Sequence, residues 1–256
     1  LNVFYGVLIN AAYGIAKQVY GAINSLTSSF QTAYSPQLTK CYASGETKDL
    51  IPLIFNTSKY STAIFLLVAI PVCINMDFLL KLWLDTVPQF TSYFTIFFLI
   101  TAALETIGGP FWITAHAIGD IKWFQIITGT IRLLAIPLVY IYIILGNPVQ
   151  YVFMMLVISD AIVYFYRLYY LKRKINFPIR DYFKEVVIKV VILTIVSISL
   201  GSLSYIVLKG DWYRLLFSSL LSMSIVVILT YFYLMNSDQR GSVKSYVLRM
   251  IKNHTV

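Results

Sequence analysis

From Leu215 to Ser237 the chain carries no Asp, Glu, Lys or Arg. The same holds from Tyr60 to Met76, Thr86 to Leu104 and Val190 to Leu208, and from Leu133 up to Asp160, where a Gly146-Asn147-Pro148 turn divides the stretch. A helix needs about 20 mainly apolar residues to cross about 30 Å of hydrocarbon. Inside that layer every backbone N–H and C=O must be satisfied within the protein, which leaves only helices and closed barrels. Barrel strands alternate in polarity over segments of about 10 residues, and these continuous apolar runs do not. The expected fold is all-α, a polytopic membrane helix bundle of about seven transmembrane helices at roughly 4–32, 57–77, 91–116, 121–145, 149–170, 187–208 and 213–235. Only 12% of residues are charged, where a soluble domain carries about 25%.

The net charge of +9 would suit nucleic acid only on a soluble fold with a basic face, and the apolar runs leave no room for one. Topology accounts for it instead. Lys40, Lys48, Lys59, Lys122, Arg167, Lys172, Arg173, Lys174, Arg180, Lys184 and Lys189 fall on one set of connections, joined by Arg240, Lys244, Arg249 and Lys252; the opposite set holds Lys81, Lys209 and Arg214. Fifteen cations against three makes the first set cytoplasmic by the positive-inside rule. This puts the N-terminus outside and the C-terminus inside. Residue 1 is Leu, with no signal peptide behind it, and a first helix entering from outside leads us to expect further helices upstream.

Trp83, Trp212, Trp123, Tyr169 and Tyr170 stand near span ends, where aromatic belts form. Ile179 to Lys189 gathers Ile179, Tyr182, Phe183, Val186 and Val187 on one helical face, and Val243 to Lys252 does the same with Val243, Tyr246, Val247, Met250 and Ile251. Both stretches are expected to lie on the inner leaflet against anionic lipid. Cys41 and Cys73 have neither metal nor disulfide spacing.

An ionisable side chain at mid-bilayer costs at least about 2.5–3.5 kcal/mol, so Lys17, Glu105, Arg132 and Asp160 must face protein or water. Counting from the turns near 119 and 147 sets Glu105, Arg132 and Asp160 at one depth. Either carboxylate can pair with Arg132, as a packing lock or beside a cationic lining for an anionic substrate. Asn10, Lys17, Asn24 and Gln31 recur every seven residues and form one slowly drifting stripe, which suits a water-filled cavity or interhelical hydrogen bonds. Pro71, Pro137 and Gly108-Gly109-Pro110 interrupt helix interiors and permit bends. No phosphate loop, nucleophile elbow or metal cluster accompanies His116 and His254. The expectation is a transporter without cofactor or metal, not an enzyme.

Five stretches carry a family likeness: Asn10 to Val19 (NAAYGIAKQV), Ala33 to Gly45 (AYSPQLTKCYASG), Ser58-Lys59-Tyr60-Ser61, Leu82-Trp83-Leu84 with Pro88, and Ala115 to Lys122 (AHAIGDIK). With them the first half of the chain resembles the polysaccharide-biosynthesis, O-antigen type flippases of the multidrug/oligosaccharidyl-lipid/polysaccharide (MOP) exporter superfamily. The resemblance implies two six-helix lobes with two extra helices around a central cavity, of which this chain would be the C-terminal half. Residues 1–170 would be most of a MATE-like second lobe, with five transmembrane helices. Residues 171–186 would be a basic cytoplasmic linker with an interfacial helix, and 187–256 two extra helices and a basic tail. It further implies translocation of undecaprenyl-pyrophosphate-linked oligosaccharide across the bacterial inner membrane by alternating access, for surface polysaccharide such as lipopolysaccharide. Lys17 and Arg132 would hold the pyrophosphate, Asn10, Asn24 and Gln31 would line the cavity, and Glu105 and Asp160 would serve as ion-pair or coupling groups. Partners would be the missing N-terminal lobe, membrane lipids and other polysaccharide assembly proteins. The alternatives are a cation-coupled drug exporter of the same superfamily and an intramembrane polymerase or transferase. A polymerase would be expected to carry a large basic external loop, and the longest external connection is short and holds only Lys81.

Overall fold

The computed structural model describes residues 2–45, 47–208 and 210–254. Leu1 and Lys209 lie outside the described residues, as do the side chains of Tyr246, Val247, Arg249, Met250, Ile251 and Lys252. All regular structure among the described residues is helical. Helix α1 (Asn2–Ala43) is interrupted only at Gly6, whose φ of 79° no other residue would adopt easily. It is followed by α2 (Thr47–Ile74), a short α3 (Met76–Trp83), α4 (Thr91–Ile107), α5 (Gly109–Ile118), α6 (Ile121–Ile144) and α7 (Val152–Ile175). Helix α8 (Ile179–Tyr182) then passes through a π-helical turn, Phe183–Val187, into α9 (Ile188–Ser202) and the short α10 (Ser204–Val207). The chain closes with α11 (Asp211–Leu229), a second π turn (Thr230–Leu234) and α12 (Ser237–His254).

Helices α2, α6, α7 and α11 with its π turn are each long and apolar enough to cross a membrane, and α4 with α5 forms a fifth candidate bent by 42°. Helix α1 has the length, at 42 residues, but its polar stripe dilutes its hydropathy. Helix α9, at 15 residues, is shorter than the about 20 residues a span needs. The chain is therefore a multi-pass membrane helix bundle.

The connection expected at 33–56 is largely helix, and the linker expected at 171–186 with an interfacial helix is helical at both ends. The stretch 33–56 is α1 up to Ala43 and α2 from Thr47; its Ser, Thr, Lys and Pro residues are too polar for hydrocarbon yet helical outside it, with Pro36 inside α1 and Pro52 inside α2. The stretch 171–186 is mostly the end of α7 and all of α8, with Asn176 at φ 52° closing α7. Asn tolerates that left-handed cap. The segment expected to lie flat on the inner leaflet is instead packed into the bundle at its start. Tyr182 and Val186 are fully buried, and the Tyr182 hydroxyl donates to the Ile107 carbonyl at 3.2 Å.

Helix α2 is the centre: 61% of its most apolar window is buried against 11% for α6 and 17% for α11, which places the last two at the lipid boundary. Around it stand α1, α4, α9 and α11, with α7 beyond α4 and α6 beyond α7. Lipid is as apolar as leucine, so helices in a membrane associate through close packing and polar contacts rather than hydrophobic exclusion. Both devices are present. The α9–α11 seam is lined by the small residues Ser197, Gly201, Ser218 and Ser222, all buried, and a Cβ on Gly201 would stand 3.2 Å from that of Ser222 and 2.5 Å from Cδ1 of Ile74. At the end of α2, Asn75 donates to the Ser218 hydroxyl at 2.7 Å. Near α5 the rings of Phe55, Phe111, Phe177 and Tyr182 meet edge to face or tilted at 5.1–5.7 Å.

Trp83, Trp123, Trp212 and Tyr169 are more than half exposed, as belt residues should be, whereas Tyr170 is buried. Its hydroxyl donates to the Asp120 carbonyl at 2.8 Å, so it fastens α7 to the start of α6.

Candidate functional site

The break between α4 and α5 builds one wall of the site. Pro110 has no N–H to donate, and Gly108 and Gly109 let other chains approach closely: a Cβ on Gly108 would lie 3.0 Å from the Tyr164 ring, and one on Gly109 would collide with the Gln31 amide. That amide uses the space, donating to the Thr106 carbonyl at 2.8 Å. A carbonyl left without an intrahelical partner by the break is thus satisfied from α1.

Arg132 of α6 reaches across to both carboxylates. Its Nη2 lies 2.9 Å from Glu105 Oε1 on α4 and 3.1 Å from Asp160 Oδ1 on α7, and its Nε donates to the same Asp160 oxygen at 3.2 Å. The choice between Glu105 and Asp160 that the sequence left open is resolved as both. Tyr20 of α1 completes the group by donating to the second Glu105 oxygen at 2.5 Å. Four helices are tied together at one depth.

This knot separates two clefts. One, of about 360 Å³, is lined by Asn24, Ser28, Gln31, Thr32 and Ser35 of α1, by Thr106, Gly109, Trp112 and Ile113 of the broken helix, and by Glu105, Arg132 and Arg167. The other, of about 250 Å³, holds Tyr20, Phe97, Phe98, Thr101, Phe153, Leu156 and Ser159 with Glu105, Arg132 and Asp160. The first is lined mostly by residues with polar side chains and the second has an aromatic wall, and Glu105 and Arg132 belong to both.

Of the candidate site residues, Asn24, Gln31, Glu105, Arg132 and Asp160 are brought together around the knot and its clefts. Asn10 and Lys17 are not. Both lie on the exposed side of α1, with the Lys17 ammonium 5.9 Å from the ring centre of Tyr13, so the seven-residue stripe drifts off the cleft toward its N-terminal end. The heptad lags the true helical repeat by about 20° per seven residues.

The sequence reads Arg167 as a charge of the cytoplasmic connections, and the structure places it within a helix. It sits inside α7, seven residues beyond Asp160, about 10 Å along the axis on nearly the same face, and lines the polar cleft. Its Nε is buried without a hydrogen-bond partner, and so is the Thr106 hydroxyl on the same cleft. A buried polar group left unpaired costs about 1–3 kcal/mol. Lys59 is likewise inside a helix, α2, and only 3% exposed. At the start of α9, Lys189 donates to Glu185 at 2.6 Å and by that bond holds the Glu185 carboxyl below its ordinary range.

Comparison of the chain with known protein families, with curated proteins and with solved structures found no match.

Proposed function

We propose that this chain is one lobe of a transporter that carries an anionic, lipid-linked glycan across the bacterial inner membrane by alternating access, as a MOP-superfamily flippase of the O-antigen type does. The observation that carries the reading is the polar cleft: inside a bundle whose outer helices are almost wholly apolar, Arg132 and Arg167 share one wall with the hydroxyls and amides of α1. An ionisable group within hydrocarbon marks a substrate or ion path by default. The phrases at Asn10 to Val19 and Ala33 to Gly45 support the same family. The exposed polar side of α1, with Asn10, Lys17, Gln18 and Ser25, is poorly suited to lipid and favours a second lobe or an aqueous cavity facing it.

The charge arrangement also favours an anion over the cationic drugs of the alternative reading. Both carboxylates are already engaged with Arg132, while the Nε of Arg167 is buried with no hydrogen-bond partner among the described residues. A phosphate arriving in the cleft would compete with Glu105 for Arg132 and loosen the knot between the two clefts, which is the step alternating access requires. An outside N-terminus and inside C-terminus follow from the cation asymmetry, which survives the removal of Arg167 from the count.

The test is genetic and chemical together. In the host cell, Arg132→Gln and Arg167→Gln are each expected to lower surface glycan, per amount of protein in the membrane, and to accumulate lipid-linked oligosaccharide on the cytoplasmic face. Unchanged glycan in both variants would remove the reading.

A further inference from the structure

Trp112 lies on the cleft wall with 44% of its surface open, and its ring is held in place. The imidazole of His116, one turn on, packs against it with centroids 3.9 Å apart. That imidazole is fixed in turn, with Nδ1 at 2.8 Å from the Trp112 carbonyl and Nε2 at 3.1 Å from the Gln125 amide. A braced, open aromatic face beside a row of neutral hydroxyls and amides has no use in binding phosphate. Nor does it serve lipid, since the same cleft is lined by Asn24, Ser28 and Arg167.

A pyranose ring has the complementary chemistry: an apolar face of C–H bonds that stacks on an aromatic ring, and hydroxyls around its edge that pair with amides and hydroxyls. The cleft volume of about 360 Å³ is at the lower end of ligand sites, about 300–1,000 Å³. Its walls enclose room for about one sugar and its phosphate.

We propose that this cleft is the subsite for the sugar phosphate nearest the lipid. Trp112 stacks on the ring, Asn24 and Ser28 of α1 meet its hydroxyls, and Arg167, with the Thr106 hydroxyl beside it, takes the adjoining phosphate. Arg167 and Thr106 carry the two buried, unpartnered polar atoms of the cleft, and a guanidinium fork matches a phosphate in a geometry that an ammonium cannot. The assignment rests on the glycan-carrier reading and adds to it recognition of the first sugar. It also makes Arg132, occupied by two carboxylates, the cation that responds to binding, and Arg167 the one that binds first.

The experiment uses the full chain in lipid nanodiscs and two soluble probes, geranyl pyrophosphate and geranyl-pyrophosphoryl-N-acetylglucosamine, with affinities measured by titration calorimetry. The wild type is expected to favour the glycosylated probe about tenfold, equivalent to about 1.4 kcal/mol. Trp112→Ala should bind both probes alike, and Trp112→Phe should keep most of the preference, which shows that a ring and not merely a folded site is needed. Arg167→Gln should weaken both probes about tenfold and leave their ratio unchanged. A full tenfold preference in Trp112→Ala would overturn the sugar platform while the pyrophosphate binding of the carrier reading stood. Failure of the wild type to bind either probe would overturn the carrier reading, and the subsite with it.

Discussion

Replacing Arg132 with leucine removes the one cation that holds Glu105 and Asp160 together at 2.9 and 3.1 Å. Two carboxylates, 29% and 14% exposed, are then left on facing helices with no charge between them, and the Tyr20 hydroxyl satisfies only one oxygen. Breaking a buried pair costs about 3–5 kcal/mol. Arg132 itself is 46% exposed, toward the cleft, so solvent screening reduces this to about 2–3 kcal/mol. Removing all three charges, in Glu105→Leu with Arg132→Leu and Asp160→Leu, should recover most of the loss, because the cost comes from orphaned charge and not from a missing attraction. The assay is unfolding of the purified protein by titrating SDS into mild-detergent micelles, followed by far-ultraviolet circular dichroism. Arg132→Leu within 0.5 kcal/mol of wild type, on the order of a surface change, would refute the knot as a structural tie. A triple variant no more stable than the single one would refute the orphaned-charge explanation.

Two glycines test the packing that shapes the cleft and the last helix pair. Gly109→Ala drives a methyl into the Gln31 amide, so the hydrogen bond to Thr106 should be lost as the side chain swings away; the same assay should show a destabilisation of about 0.5–1.5 kcal/mol, the net worth of that bond, and Gln31→Ala added to it should cost less than the sum of the two. Gly201→Leu meets Ile74 and Ser222 and should part α9 from α11, detected as loss of a disulfide engineered between those helices. A fully formed crosslink would show that the seam tolerates the bulk.

Hydropathy exposes the spans because the hydrocarbon forbids charge over a known length, and that constraint acts residue by residue. It says nothing about helix outside the hydrocarbon. That is why Ser35 to Ala43 and Thr47 to Asn56 read as loop although α1 and α2 continue through them. The depth count around two turns was enough to put Glu105, Arg132 and Asp160 together, since antiparallel neighbours of equal rise must meet. Arg167 was missed because a cation near a span end looks the same whether it snorkels to water or turns inward. The signal was there in its distance of seven residues from Asp160, the same spacing that drew attention to the stripe on α1. Trp112 could not be found this way: it follows the Gly108 break, and a 42° bend cancels any face computed from a continuous helix. The drift of Asn10 and Lys17 away from the cleft was implicit in the heptad, but which end of the stripe faces the neighbours depends on where α4 and α5 pack, and that is tertiary information.

Transport by this bundle requires that the polar cleft along α1 be open to water while the outer helices face lipid. Single cysteines at Ser28 and Ser35, on the cleft, and at Leu134 and Leu138, exposed on the outer face of α6, can be introduced after Cys41 and Cys73 are replaced with alanine. Reaction with a charged, membrane-impermeant maleimide applied to either side of sealed membrane vesicles reads the difference. Labelling at positions 28 and 35 from one side, with none at 134 and 138 from either, is the predicted result; no labelling at 28 and 35 from either side, or equal labelling at all four, would contradict it.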